Sequence, residues 1–115
     1  MTIFERVKTA LDTLSPAVPA KVKPYLSTGA LPDTFIDYQL IDGMPEDHFD
    51  NIEASRDYLV QVSIWCRDGL ASLPDVDSAM TTAGFMAAGE RQLSKDEKTG
   101  HYGLAKDYTI LIKKS

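Results

Sequence analysis

The chain has 115 residues, of which 43% are hydrophobic and 25% charged, and a formal net charge of −5. This is the balance of one soluble globular domain spanning residues 1–115, long enough to bury a core without disulfides or metal. It argues against a protein that wraps nucleic acid, no apolar stretch is long enough to span a membrane, and the single Cys66 cannot form an internal disulfide.

The chain opens on MTIFERVK, which has an acidic residue and helical spacing instead of the apolar core of a signal peptide, and so reads as intracellular and cytoplasmic. Ile3, Val7, Ala10, Leu11 and Leu14 fall on one helical face with Phe4 beside them, and Thr2 and Glu5 have the spacing of a capping box. Ser15-Pro16 ends this helix. Residues 16–33 hold Pro16, Pro19, Pro24 and Pro32. Prolines on both sides of Ala20–Val22 suit a short edge strand there, and Ser27-Thr28-Gly29-Ala30 is a loop signal.

Two longer strands follow, Thr34–Asp42 and Asp57–Arg67. The second is the scaffold of the domain. With period two, Tyr58, Val60, Val62, Ile64 and Cys66 form one buried face, which makes Cys66 a buried thiol. The other face mixes polar residues with Leu59 and Trp65, and so needs partial cover from the chain itself or from another subunit. Phe35 and Ile41 are six residues apart, as are Leu59 and Trp65. An antiparallel register with Phe35 opposite Trp65 sets Ile41 opposite Leu59, Asp37 opposite Ser63 and Gln39 opposite Gln61. It also joins Ile36, Tyr38 and Leu40 to Ile64, Val62 and Val60. Phe35, Ile41, Leu59 and Trp65 are therefore candidate interface residues.

The connection between these strands, Gly43–Arg56, is far longer than a hairpin needs. It is acidic, with Glu46, Asp47, Asp50 and Glu53, and carries apolar Met44, Phe49 and Ile52. It reads as a solvated loop or as an arm that binds a partner or faces a pore.

After the turn Arg67-Asp68-Gly69, Ser72–Gly84 reads as a second helix. Pro74 suits the first helical position, and Leu73, Val76, Ala79, Met80 and Ala83 form the apolar stripe. Asp75 and Asp77 favour its N-terminus, and Gly84 is its C-terminal cap. Phe85–Leu93 is a weaker strand with a bulge expected at Gly89. Ser94–Gly100 is a polar turn, and Tyr102–Lys113 closes the sheet with Tyr108, Ile110 and Ile112 inward. The fold class is α+β: a mainly antiparallel β-sheet of four to five strands with two α-helices packed on it.

No chemical site emerges. His48 and His101 are too few for a metal centre, the acids around Glu46 and Asp47 lack calcium-loop spacing, and no nucleophile elbow is present. The Gly84–Gly89 stretch is no phosphate loop. The residues carry no catalytic, cofactor-binding or metal site, so the chain reads as a non-enzyme.

Four stretches come in one order: YQLIDGMPED (Tyr38–Asp47), YLVQVSIWCRDGL (Tyr58–Leu70), LPDVDSAMTTAGF (Leu73–Phe85) and TGHYGLAKDY (Thr99–Tyr108). Together they resemble the small tail-completion and tail-terminator proteins of long-tailed bacteriophages and prophages, over roughly residues 35–112. The resemblance implies a structural virion protein of the tail neck, made in the host cytoplasm and without a cofactor. It further implies a homo-oligomeric ring, usually a hexamer, at the head-proximal end of the tail tube. Such a ring ends tube polymerisation and joins the tail tube protein to the head connector or stopper protein. DNA would pass through without specific binding, and Glu46, Asp47, Asp50 and Glu53 are the candidates to line that lumen. A head-completion stopper, or a non-viral protein-interaction module using the 43–56 arm, is the alternative.

Overall fold

The computed structural model describes residues 2–14, 18–22, 32–46, 55–71 and 73–113. The elements run α1 (Ile3–Leu11), β1 (Ala20–Val22), β2 (Thr34–Glu46), β3 (Ser55–Cys66), α2 (Val76–Thr82), β4 (Met86–Asp96) and β5 (His101–Lys113). The five strands form one sheet in the order β1-β2-β3-β5-β4, with β1 parallel to β2 and all other pairs antiparallel. This is the expected α+β architecture, with the expected short edge strand at Ala20–Val22.

Both helices lie on one face of the sheet. α1 starts where expected: the Thr2 hydroxyl accepts from the Glu5 N–H and the Glu5 carboxylate from the Thr2 N–H, each at 3.1 Å. The bond from the Thr2 N–H, with the Thr2 side chain close by, holds the Glu5 carboxyl below its usual range. Its stripe, Ile3, Val7, Ala10 and Leu11, is buried against Ile36, Tyr38, Val60, Val62 and Ile64. Burial of this face is the main stabilising term, at roughly 25 cal/mol per Å2 of apolar surface.

α2 is shorter than the sequence suggests. Pro74 does not open it; Asp75 is the N-cap, accepting from the Ser78 N–H at 3.1 Å and from its hydroxyl at 2.8 Å. At the other end Phe85 N–H bonds the Met80 carbonyl and Gly84 N–H the Thr81 carbonyl, both at 3.0 Å. This pair of bonds requires positive φ at Gly84, which is +99°. It turns the chain so that Phe85 buries beside Met80.

The register of β2 and β3 follows the expected one from Phe35↔Trp65 to Leu40↔Val60, and then breaks. Ile41 is the extra residue of a bulge, so Asp42, not Ile41, pairs with Leu59. Beyond the break the ladder continues to Glu46↔Ser55, where a loop was expected. The 43–56 arm is thus strand at both ends. On the far side of β3, β5 runs equally far, so each residue from Ser55 to Leu59 is paired on both sides. That second partner is why Gly43–Glu46 can extend despite its loop-like composition.

The bulge also explains a proline inside a strand. Ile36 donates its N–H to the Pro19 carbonyl at 2.8 Å, away from β3. Residues 36, 38 and 40 therefore turn their backbone groups to the outer edge. The bulge reverses the phase, and Gly43 and Pro45 take the edge-facing positions. The missing N–H of Pro45 then costs no ladder bond to β3.

β4 is also longer than expected: Ser94, Lys95 and Asp96 belong to the strand, and the turn is reduced to 97–100. Its register shifts twice, between Ala87 and Gly89, where a break at Gly89 was expected, and between Leu93 and Asp96.

Candidate assembly surface

Among the described residues no element packs on the second sheet face, yet its centre is closed. Trp65 pairs with Gly103 across β3 and β5 and lays its indole over that glycine. Its N–H donates to the Asp37 carboxylate at 3.3 Å. Phe35 stacks on Trp65 with ring centroids 6.4 Å apart and takes His101 edge-on at 4.9 Å. Next to this cluster Gln39 donates to Gln61 at 2.8 Å, in the register expected from sequence. Asp37, Gln61 and Ser63 are buried as a result. The cover that Trp65 and Leu59 were expected to need is therefore supplied, at the Trp65 end, by the chain itself. Phe35 is buried inside the subunit, and Trp65 and Leu59 are half-buried.

That end is tied down further. Arg67 bonds the Asp33 carboxylate at 2.8 Å and the Thr99 carbonyl at 2.9 Å. The fully buried His101 bridges Thr99 Oγ1 at 2.7 Å and the Pro32 carbonyl at 2.8 Å. A carbonyl can only accept, so Nε2 carries a proton. His101 acts here as a structural residue, and so does Cys66, whose buried Sγ accepts from the Thr34 hydroxyl at 3.4 Å.

The opposite end of the sheet is different. There, among the described residues, β2, β3 and β5 continue past the short β1, which is paired as far as Tyr38, and past β4, which begins opposite Thr109. They form a three-stranded tongue. With it the molecule is 52 Å long, and its radius of gyration is 15.4 Å, against about 13 Å for a compact chain of this size. Apolar residues stand on both faces of the sheet around the base of the tongue. On the helix side stand Leu40, Tyr58, Ile110 and Ile112; on the other stand Ile41, Leu59, Leu111 and Met86. Ile41 is 48% exposed, Leu111 49% and Met86 70%. Of the three strands β5 carries a short run, Ile110-Leu111-Ile112, that is apolar on both faces.

Of the interface residues expected from sequence, Ile41 and Leu59 lie together at this end. Met44 stands in β2 opposite Asp57. Glu46 ends β2, while Phe49, Ile52, Asp47, Asp50 and Glu53 lie outside the described residues. Leu111, Met86 and Leu40 were not singled out. The signal for Leu111 was present in Tyr108-Thr109-Ile110-Leu111-Ile112, where the residue between the two inward isoleucines is apolar as well.

One polar cluster stands on the helix side. The buried Tyr108 hydroxyl donates to Asp77 on α2, whose other oxygen takes the Lys106 ammonium at 3.0 Å. The Tyr108 bond, with Lys106, holds the Asp77 carboxyl below its usual range, and burial pushes the Tyr108 phenol up. The cluster pins α2 to β5. Among the described residues no three His, Cys, Asp or Glu gather as a metal site would require, and no helix is long and apolar enough to cross a membrane. Compared with known protein families and with curated proteins, the sequence matches none.

Proposed function

We propose that this chain is a structural subunit that assembles with copies of itself into a ring at the head-proximal end of a long phage tail. There it ends growth of the tail tube and joins the tube to the head connector. The observation that carries the assembly reading is the group of apolar residues left exposed at the base of the tongue and on β5, with no strand beside β2 or β5 at that end among the described residues. Exposed Ile41, Leu111 and Met86 together make a patch that a monomer in water gains nothing by presenting. The tail-neck setting rests on the sequence resemblance over residues 35–112. One end of the subunit is closed and tied; the other offers the contacts.

The test is genetic. A phage or prophage with this gene interrupted should release filled heads separated from tails, with the tails of irregular length in electron micrographs. Normal joined virions from the interrupted gene would overturn the reading.

A further inference from the structure

Met86 opens β4 and pairs with Thr109 of β5, which pairs in turn with Leu59 of β3. Leu59 lies beside the bulged Ile41 of β2. These residues form one row across four strands, about 14 Å long at the ordinary strand spacing. The row crosses the sheet face on which, among the described residues, no helix packs. Met86 is 70% exposed there and stands outside the core cluster. Met80 is 0% exposed within that core. Met1 and the Met44 side chain lie outside the described residues.

A thioether reacts with a peroxide through a sulfur lone pair. Sulfur bonds one peroxide oxygen, the O–O bond breaks, and the second oxygen leaves as water with the proton of the first. Sulfur loses two electrons and the peroxide gains them. Access to solvent decides which methionine reacts, and it favours Met86 over Met80. The product sulfoxide is polar and a strong hydrogen-bond acceptor, and covering it with apolar groups is unfavourable.

We propose that Met86 is a peroxide-sensitive modification site, and that its oxidation and assembly of the subunit oppose each other. This rests on the ring reading, in which a neighbouring copy covers the exposed row. In the free subunit Met86 is open to oxidation, and the sulfoxide then puts a polar group at one end of the row. In the assembly the same cover shields the sulfur. The fold does not depend on the thioether, because Met86 lies outside the core. A thiol-dependent sulfoxide reductase reverses the change.

The experiment treats the full chain with hydrogen peroxide, once dilute and once at an assembling concentration, then maps its peptides by mass and sizes it by sedimentation. Dilute wild type should take up oxygen at Met86 several-fold faster than at Met80, and several-fold faster than at the assembling concentration. Chain oxidised at Met86 should keep its circular dichroism, assemble several-fold more weakly, and recover after sulfoxide reductase. Met86→Leu, which cannot take the oxygen, should assemble equally before and after treatment. Met86→Gln, permanently polar, should match the oxidised wild type. An equal loss in treated Met86→Leu, or undiminished assembly of wild type oxidised at Met86, overturns the Met86 assignment and leaves the ring standing. A wild-type chain that stays monomeric at every concentration overturns both.

Discussion

Trp65 needs a glycine across the strand. A Cβ built on Gly103 would come within 2.6 Å of Cζ3 and 2.8 Å of Cε3 of the indole. The ring lies where that side chain would be, and it replaces on this face the layer that the helices provide on the other. Aromatic cover of a cross-strand glycine is a known device for closing a sheet surface.

Gly103→Ala should lift the indole, break its bond to Asp37 and cost about 1–3 kcal/mol. Tryptophan emission should shift to the red, and the denaturation midpoint should fall. Trp65→Ala removes the reason for the glycine. The double variant should therefore cost less than the sum of the singles, a coupling that denaturant melts can measure. Strict additivity would show that the two residues do not act as a unit.

The bulge makes a second prediction. Past the bulge the backbone of Pro45 faces the outer edge and that of Met44 faces β3. Pro45→Val should therefore leave the denaturation midpoint nearly unchanged, whereas Met44→Pro should lose a ladder bond at a cost of roughly 3 kcal/mol. Equal costs for the two would show that the phase account of the bulge is wrong.

This is also where sequence reading reaches its limit. The equal spacing of Phe35–Ile41 and Leu59–Trp65 was enough to set the register up to Leu40, because both faces had to match at once. It could not show the bulge, whose mark is the phase of Pro45, and that phase has meaning only if the strand continues to Glu46. Gly43-Met44-Pro45-Glu46 has turn composition, and it is strand because β3 is held from its other side by β5. Ser94-Lys95-Asp96 misleads similarly: an outermost strand, exposed along nearly its whole length, needs no apolar alternation. The Trp65–Gly103 pair was unreadable until the β3–β5 register was known. Of the contact surface, Ile41 and Leu59 were legible as apolar residues on a polar face, whereas Leu111 was hidden between two core isoleucines.

The Asp77–Tyr108 bond predicts acid sensitivity. Asp77 is held below the ordinary aspartate value of 3.8, so it adds stability above that pH and loses it as pH falls through its lowered folded value. Asp77→Asn should flatten the acid limb of the stability curve below about pH 4. Tyr108 is shifted up, so its contribution holds through neutral pH and fails only in strong alkali. Tyr108→Phe should cost about 1–2 kcal/mol at pH 7, read from urea melts. An unchanged acid limb in Asp77→Asn would remove this carboxylate from the account.

Gly84→Ala tests the turn that delivers Phe85 to the core. A methyl group there has room, its nearest neighbour being Ile110 Cδ1 at 3.7 Å, so the cost is backbone strain alone. A loss of about 1–2 kcal/mol is expected, with the fold otherwise unchanged by circular dichroism.

Assembly through the tongue is the central claim, and sedimentation of the wild-type chain beside Leu111→Asp tests it most directly. Leu111 is half exposed and outside the core, so its replacement should leave a folded subunit. The wild-type chain should sediment as a multiple of 12.7 kDa, and Leu111→Asp as a folded 12.7 kDa monomer. A wild-type chain that remains at 12.7 kDa at every concentration, or a Leu111→Asp variant that assembles as well as wild type, would contradict it.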